Sequence, residues 1–588
     1  LFNLSKDPKL TLPEKNDFLA TDFSLTTTPP TKFPKLVELD QFSKIWFKAN
    51  PSLSGPRSSI TIKFNLPGST STPLNSLYLS LFVELLDDEL NSLSYYASLA
   101  NLNYNFNIAR EGISLEIIGY SHKQEILLSK LLQTLNSFSH DESTWINNRR
   151  IKRYNILKEK LFRNLKNFGF STPYEQVGPT ISSLINENSW LIDDEIACIN
   201  AVDFQSLKNY SLNLFKICFI EILSLGNFEK KDSINIYNIV KNNFPSLSSS
   251  MTLTNSQFTR GRTLDIRNEP TSHFVKLNDD FDNINSCVET FTQLGRITNH
   301  RDRIINELIA QILHEPFFNR LRTIEQLGYV VFSGTRETRT TFGLRFLIQS
   351  EYPTFYLLER INKFVEKMGR FINNKMTDEE FNKHVEALIN KKEQKMKNLR
   401  EERNYFWNRI ASGHYDFDRH EKDVEFLKSF DKADVSKFYQ EKVIGRLGKG
   451  RVVVHLQSQK VPKLDSIKMI KNAFSNFIYD KDDFDDVSYE NDKVNEKIDC
   501  FFKNREIDES SLSLLFEDEL FSDFGFKNEL KNEILSILSN DWNSYSPTMG
   551  LLIGQVGEWK CSVPLTAAPS AKIEQEHCDE EICIKGKL

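Results

Sequence analysis

Residues 317–350, FFNRLRTIEQLGYVVFSGTRETRTTFGLRFLIQS, constrain the fold more than any other stretch, because both secondary-structure periods meet there. Just upstream, Ile305, Leu308, Ile309, Ile312 and Leu313 recur at three- and four-residue spacing, the apolar stripe of a helix. Pro316 has no N–H for the preceding turn and predicts a kink or a restart. Gly328 is the residue expected to stop the helix in the left-handed conformation. Tyr329 then opens the β-branched and aromatic run Tyr-Val-Val-Phe, and after a polar turn Phe342, Leu344, Phe346 and Ile348 alternate with Gly343, Arg345 and Gln349. A helix feeding a hairpin with one apolar face requires a sheet covered by helices.

The same order occurs once before, about 225 to 240 residues earlier. A short strand at 44–48 and an alternating run at 58–68 precede a long amphipathic helix, about 73–100. Leu102-Asn-Tyr104 stands where the second copy has Leu327-Gly-Tyr329, and the strand from Gly112 to Gly119 matches Phe342 to Gln349. A helix covers about 123–138, and Ser139 with Glu142 has the spacing of a capping box, repeated by Thr377 and Glu380. In the second copy, strands near 273–280 and 286–294 take the early positions. Each copy closes on a further strand, within 215–228 and 450–459. The reading is an α+β chain of two homologous domains, 36–243 and 263–460. A proline- and threonine-rich linker (1–35) precedes them, a serine-rich joint (244–262) connects them, and an acidic, partly disordered extension (461–588) follows. Within that extension, 479–499 reads as a solvated acidic loop, 509–540 regains a helical pattern, and the end, EWKCSVPLTAAPSAKIEQEHCDEEICIKGKL, has no period.

A net charge of -6 argues against a general nucleic-acid binder, and no run of eighteen apolar residues predicts a membrane span. Seven cysteines in 588 residues do not form a disulfide scaffold, and Cys198, Cys218 and Cys287 read as buried thiols of an intracellular protein. The expected compartment is the cytoplasm, with the peroxisome or mitochondrion as alternatives; the terminal Gly-Lys-Leu is close to a peroxisomal Ser-Lys-Leu address. The chain starts at Leu1 without a signal peptide and reads as a piece of something longer.

Two polar groups stand out at the helix-to-strand junction. Arg322 carries a guanidinium able to fork onto a carboxylate or a peptide carbonyl, and the Tyr329 phenol is able to donate to an oxyanion. The plainer reading pairs Arg322 with Glu325 and makes Tyr329 ordinary sheet filling. The first copy has Ala97 and Tyr104 at these places. The charged helix 146–166, with Arg149, Arg150, Lys152 and Arg153, reads as a solvated face or as a lining that attracts anionic peptide ends.

LRTIEQLGYVVFSG with GLRFLIQS, PEKNDFLATDFSL at 13–25, WFKAN at 46–50 and GYSHKQEILL at 119–128 resemble the insulin-degrading (insulysin) branch of the pitrilysin zinc-peptidase family. The likeness runs from about residue 8 to about residue 458 and corresponds to the C-terminal half of a family member. It implies two homologous α/β rolls, the third and fourth of a four-roll enzyme. It also implies that Arg322 holds the substrate backbone and that Tyr329 stabilises the tetrahedral intermediate across from a zinc. The family takes its metal from His-x-x-Glu-His with a distal Glu, and none of the ten histidines lies in that motif or in His-Glu-x-x-His. His314 is followed by Glu315 and then Pro316, His414 and His420 are six apart, and Cys561, His577, Cys578 and Cys583 fit no common finger. The expectation is therefore that zinc belongs to the complete enzyme and is not bound by this chain. Its partners are then peptide substrates and an N-terminal half carrying the metal. Two alternatives stand beside this reading: a non-enzymatic scaffold of the same rolls, and a dedicated processor of a lipidated fungal pheromone precursor.

Overall fold

The computed structural model describes residues 15–244, 261–460 and 550–569, with short pieces inside 471–503 and 573–579. Most of the serine-rich joint, most of the acidic stretch 479–499, the helical pattern at 509–540 and Cys583 lie outside the described residues.

The strands form two six-stranded sheets. The first contains β1 (Lys35–Leu39), β2 (Ser43–Ala49), β3 (Arg57–Asn65), β4 (Asn103–Ala109), β5 (Gly112–Tyr120) and β6 (Phe219–Gly226), in the order β1-β2-β6-β3-β5-β4. The second contains β7 (Ser272–Leu277), β8 (Ser286–Arg296), β9 (Val330–Glu337), β10 (Thr341–Ser350), β11 (Arg451–Gln457) and β12 (Leu551–Leu552), in the order β12-β7-β11-β8-β10-β9. The duplication read in the sequence is a duplication of topology. β2 runs parallel to β6 as β7 does to β11, and the antiparallel series β6-β3-β5-β4 repeats as β11-β8-β10-β9.

Each sheet packs one face on helices of its own copy. In the first, Ile45, Phe47, Ile60, Ile62 and Ile222 meet the apolar stripes of helices Pro73–Glu89 and Gln124–His140. In the second, Phe342, Leu344, Phe346, Ile348 and Val453 meet helices His300–Phe318 and Thr354–Asn374. The other face of each sheet is covered by a helix from the other copy. Val177, Ile181, Leu184 and Ile185 of helix Pro173–Ile185 pack on Phe291, Leu347, Val452 and Val454. Leu399, Phe406 and Ile410 of helix Leu399–Ser412 pack on Trp46, Leu223 and Leu225. This exchange explains why β6 is buried along its whole length and β8 along all but its last residue.

Three local expectations change. The single helix expected over 73–100 is two, Pro73–Glu89 and Asn91–Leu99, broken at Leu90, where φ is -82° and ψ is 0°. Ser139 does not cap a helix: it lies in the last turn of Gln124–His140 and its hydroxyl donates to the Leu135 carbonyl at 2.8 Å. Asp141 does the capping instead, accepting from the Ser143 N–H at 2.8 Å. Thr377 and Glu380 do form a capping box. The C-terminal end, expected to be irregular, is packed over 550–569 because the outer edge of β7 has main-chain groups to satisfy. Leu551 N–H donates to the Thr271 carbonyl and Ile553 N–H to the His273 carbonyl, both at 2.8 Å. Trp559, on helix Val556–Ser562, donates to Ser272 Oγ at 3.2 Å.

Candidate functional site

Helix His300–Phe318 passes through Pro316 without a restart, and its continuation, Asn319–Ile324, widens into a π-helical turn. Glu325 N–H donates to the Arg320 carbonyl at 2.9 Å and Leu327 N–H to the Leu321 carbonyl at 3.0 Å. Gln326, with φ +51°, takes the left-handed position expected for Gly328. Gly328 serves close approach instead: a Cβ on it would stand 2.0 Å from the Gln349 carbonyl oxygen of β10.

The π turn decides where the charges point. A turn with i to i+5 bonding brings residue 325 under residue 320 rather than under 322. The Arg322–Glu325 pair therefore does not form. Glu325, 3% exposed, takes Arg320 at 2.6 Å and Arg360 at 2.8 and 2.9 Å, and both arginines are buried as well. Burial pushes the Glu325 carboxyl up, but the Arg360 and Arg320 guanidiniums outweigh it and hold the group below the usual range. Sequence spacing alone does not single out Arg360. Its signal is a charge set among Leu357, Ile361, Phe364 and Val365 on the buried side of its helix, where Lys367 is buried as well.

Arg322 is left free of that network. Its guanidinium lies over the Phe318 ring at 4.7 Å and over the Tyr329 ring at 4.4 Å. Tyr329 is 80% exposed, so it is not sheet filling. It stands just before β9, the outermost strand of the second sheet, and Val330 pairs with Gln349 of β10. The structure thus brings Arg322 and Tyr329 together at a free sheet edge, on a base fixed by a buried arginine–glutamate–arginine triad. They stand on open surface and do not border the cleft between the two rolls.

The equivalent place in the first roll holds no such exposed pair, although β4 is likewise the outermost strand of its sheet. Tyr104 is half-buried, its hydroxyl donates to the Leu90 carbonyl at 3.3 Å, and burial pushes it up to about 12. Ala97 is fully buried. The basic helix Asn148–Phe168 is tied to its neighbour: Arg150 pairs with Glu89 at 3.1 Å, Arg153 with Asp88, and Lys160 with Glu84 at 3.1 Å. His414 Nε2 lies 2.6 Å from the Arg339 carbonyl oxygen, and His420 packs edge-on to Tyr405, with burial pushing it down to about 4. Among the described residues there is no group of three or more His, Cys, Asp or Glu side chains able to hold a metal.

Residues 2–198 match the family model described as the middle or third domain of peptidase M16, and residues 308–407 match that of the C-terminal lobe domain 4 of PqqF-like PQQ synthase. The A-factor-processing enzyme of Saccharomyces cerevisiae is 32% identical over 77% of this chain and 43% of its own length. Human insulin-degrading enzyme is 32% identical over 78% of this chain and 44% of its own length. The chain belongs to the insulysin-like branch of the M16 peptidases. It spans a little under half the length of these M16 relatives. The crystal structure of pitrilysin superposes with a TM-score of 0.67 at 20% identity, over 78% of this chain and 47% of that one, so the two sheets and their helices are the M16 fold.

Proposed function

We propose that this chain is the substrate-enclosing, non-metal-binding half of an insulysin-like zinc metalloendopeptidase that hydrolyses small peptides in a closed chamber. One observation carries the reading: a guanidinium and a phenol stacked 4.4 Å apart, the phenol exposed, on a buried and charge-satisfied base. In this reading Arg322 donates to the carbonyls of a bound peptide and holds its backbone against the sheet edge. Tyr329 donates its O–H to the oxygen that becomes an oxyanion when water adds to the scissile carbonyl. Zinc, named in a Schizosaccharomyces pombe relative 28% identical over 80% of this chain, would be held by the N-terminal half and supply the activated water. The open setting of the pair supports this, because a residue that works against a metal on another part of the protein must face outward.

Steady-state kinetics of the full-length protein on a peptide substrate test the assignment. Tyr329→Phe should lower kcat by about a hundredfold with little change in KM, because it removes a donor used mainly in the transition state. Arg322→Ala should raise KM as well. Kinetics for both variants equal to those of the parent would refute it.

A further inference from the structure

The described residues between 550 and 579 touch both rolls. On the second roll, β12 adds a parallel pairing to the outer edge of β7, with Leu551 opposite Ser272 and Leu552 opposite His273. On the first roll, Cys578 forms a parallel bridge with Leu36 of β1, the outermost strand of that sheet, and the Asp579 N–H donates to the Leu36 carbonyl at 3.0 Å. This end is seated in the protein and not laid on its surface. Cys578 is buried in one apolar cluster with Leu36 and Trp46. The His577 ring, 1% exposed, meets the Phe33 and Phe417 rings at 5.3 and 5.0 Å, and the Asp579 carboxylate takes Lys230 at 3.1 Å. One short segment thus covers the outer edge of each sheet, on the sides away from β4 and β9.

Between its two ends the segment crosses the seam where the rolls meet. Leu264 N–H donates to the Ile185 carbonyl at 2.8 Å and Glu187 N–H to the Arg262 carbonyl at 3.0 Å, so the end of one exchanged helix pairs with the start of the second copy. The far side of that start belongs to the extension: Asp265 N–H donates to the Pro564 carbonyl at 2.7 Å, and Thr566 N–H to the Thr263 carbonyl at 2.9 Å. The buried Thr566 hydroxyl donates to Thr340 Oγ1, in the β9–β10 turn, at 2.7 Å. Lys560 Nζ donates to the Asn186 and Ser189 carbonyls of the first copy at 3.0 and 2.6 Å. Pro569 then comes up to the other exchanged helix, with its Cβ 3.8 Å from a Cβ placed on Gly413. A tail that only dressed the edge of β7 would have no reason to continue over the seam to β1. Each contact is small, but all lie on one chain, so each holds the next at high local concentration.

We infer that residues 550–579 are a clasp, which fastens the two rolls together by pairing with the outer edge of both sheets and closing the seam between them. A second consequence follows from the same contacts. An outer strand with unpaired main-chain groups is a template for another chain, and the clasp occupies that template on β1 and β7. The inference uses neither Arg322, Tyr329 nor a metal, so it stands or falls apart from the proposed function.

Thiol labelling of the full-length protein tests it, because the segment carries its own probe and reference: Cys578 is buried and Cys561 exposed. A site-specific protease sequence is inserted between residues 569 and 573, and alkylation of both cysteines by N-ethylmaleimide is followed by peptide mass spectrometry before and after cleavage. In the uncut protein Cys578 should react at least tenfold more slowly than Cys561. Cleavage turns a tethered contact into a bimolecular one, so Cys578 should then react at least tenfold faster, and the unfolding midpoint should fall by about 2–4 °C. Thr566→Pro, without the insertion, checks the seam in case the inserted protein folds poorly. It removes the N–H given to Thr263 and roughly doubles the free tether leading to His577, so Cys578 should react about threefold faster. Cys578 labelled in the uncut protein as fast as Cys561, or equally protected before and after cleavage and in Thr566→Pro, would overturn the inference.

Discussion

Replacing Glu325 by Gln should be among the most damaging single changes in the second roll. Glu325 is 3% exposed, Arg320 6% and Arg360 2%, so solvent screens little of their interaction. Its two oxygens receive donors at 2.6, 2.8 and 2.9 Å. With charge centres about 4 Å apart and an effective dielectric near 20, each attraction is about 4 kcal/mol before desolvation. The amide keeps the shape but takes the shared carboxylate charge away from two buried guanidiniums. The expected loss is about 3–5 kcal/mol. Urea unfolding followed by tryptophan fluorescence should show it as a midpoint lowered by about 1–2 M, for a slope of about 2–3 kcal/mol/M. Because the same triad holds the turn carrying Arg322, the variant should also raise KM for peptides in the full-length protein under conditions where it remains folded. A second variant separates charge from packing: Arg320→Met, Glu325→Met and Arg360→Met together remove the triad and should recover at least half of the loss. A Glu325→Gln protein within about 1 kcal/mol of the parent would refute the claim that the triad supports this turn.

Acid should weaken the seam between the rolls in a defined window. Burial raises the Glu111 carboxyl, but Lys63 and Arg339 outweigh it and bring it to about 2, against an ordinary glutamate value of 4.5. A depressed acid contributes stability above its unfolded value and loses it as pH falls, so the contribution should decline from about pH 4.5 towards 2. Glu111→Gln should flatten the unfolding midpoint against pH across that window, and an unchanged slope would count against the pairing. At the other edge of the second sheet, Trp559→Ala should cost about 2 kcal/mol, since the indole is half-buried against the β7 edge and donates to Ser272 Oγ at 3.2 Å. Hydrogen exchange at Ser272 and His273 should rise in that variant, and exchange equal to the parent's would show the segment to be dispensable for the sheet.

What the sequence disclosed follows from which interactions leave a periodic trace. The alternation of Phe342, Leu344, Phe346 and Ile348 is readable because one face of β10 is committed to its own helices. The exchange of helices is not. Val177, Ile181 and Leu184, like Leu399, Phe406 and Ile410, announce that a face is buried but not which sheet buries it. A trace does exist in the mostly apolar run of β6, which asks for cover on both faces. The Ser139–Glu142 spacing misleads because the stripe of Leu131, Leu135 and Phe138 carries the helix past Ser139. The partner of Glu325 is missed for a sharper reason: helical spacing rules assume 3.6 residues per turn, and a single wide turn moves the facing residue from 322 to 320.

That wide turn is also what separates the two copies. In the first roll the chain enters its edge strand from the short helix Asn91–Leu99, with Ala97 packed in the core and the Tyr104 hydroxyl spent on the Leu90 carbonyl. In the second roll the entry is a π turn whose inward residue, Arg320, is neutralised by Glu325, and whose outward residue, Arg322, stacks on Tyr329. The same topology therefore yields two outermost strands with different entries, one with its tyrosine hydroxyl spent on the main chain and one with its tyrosine exposed, and the difference rests on a few polar residues around one turn. Under the proposed function only the second copy's edge faces substrate, and the first copy serves as its support. The exchanged helices make that division mechanical: helix Pro173–Ile185 of the first copy lies on β8, β10 and β11, the strands next to the open edge. Loosening the first roll should then disturb the Arg322–Tyr329 edge without touching either residue.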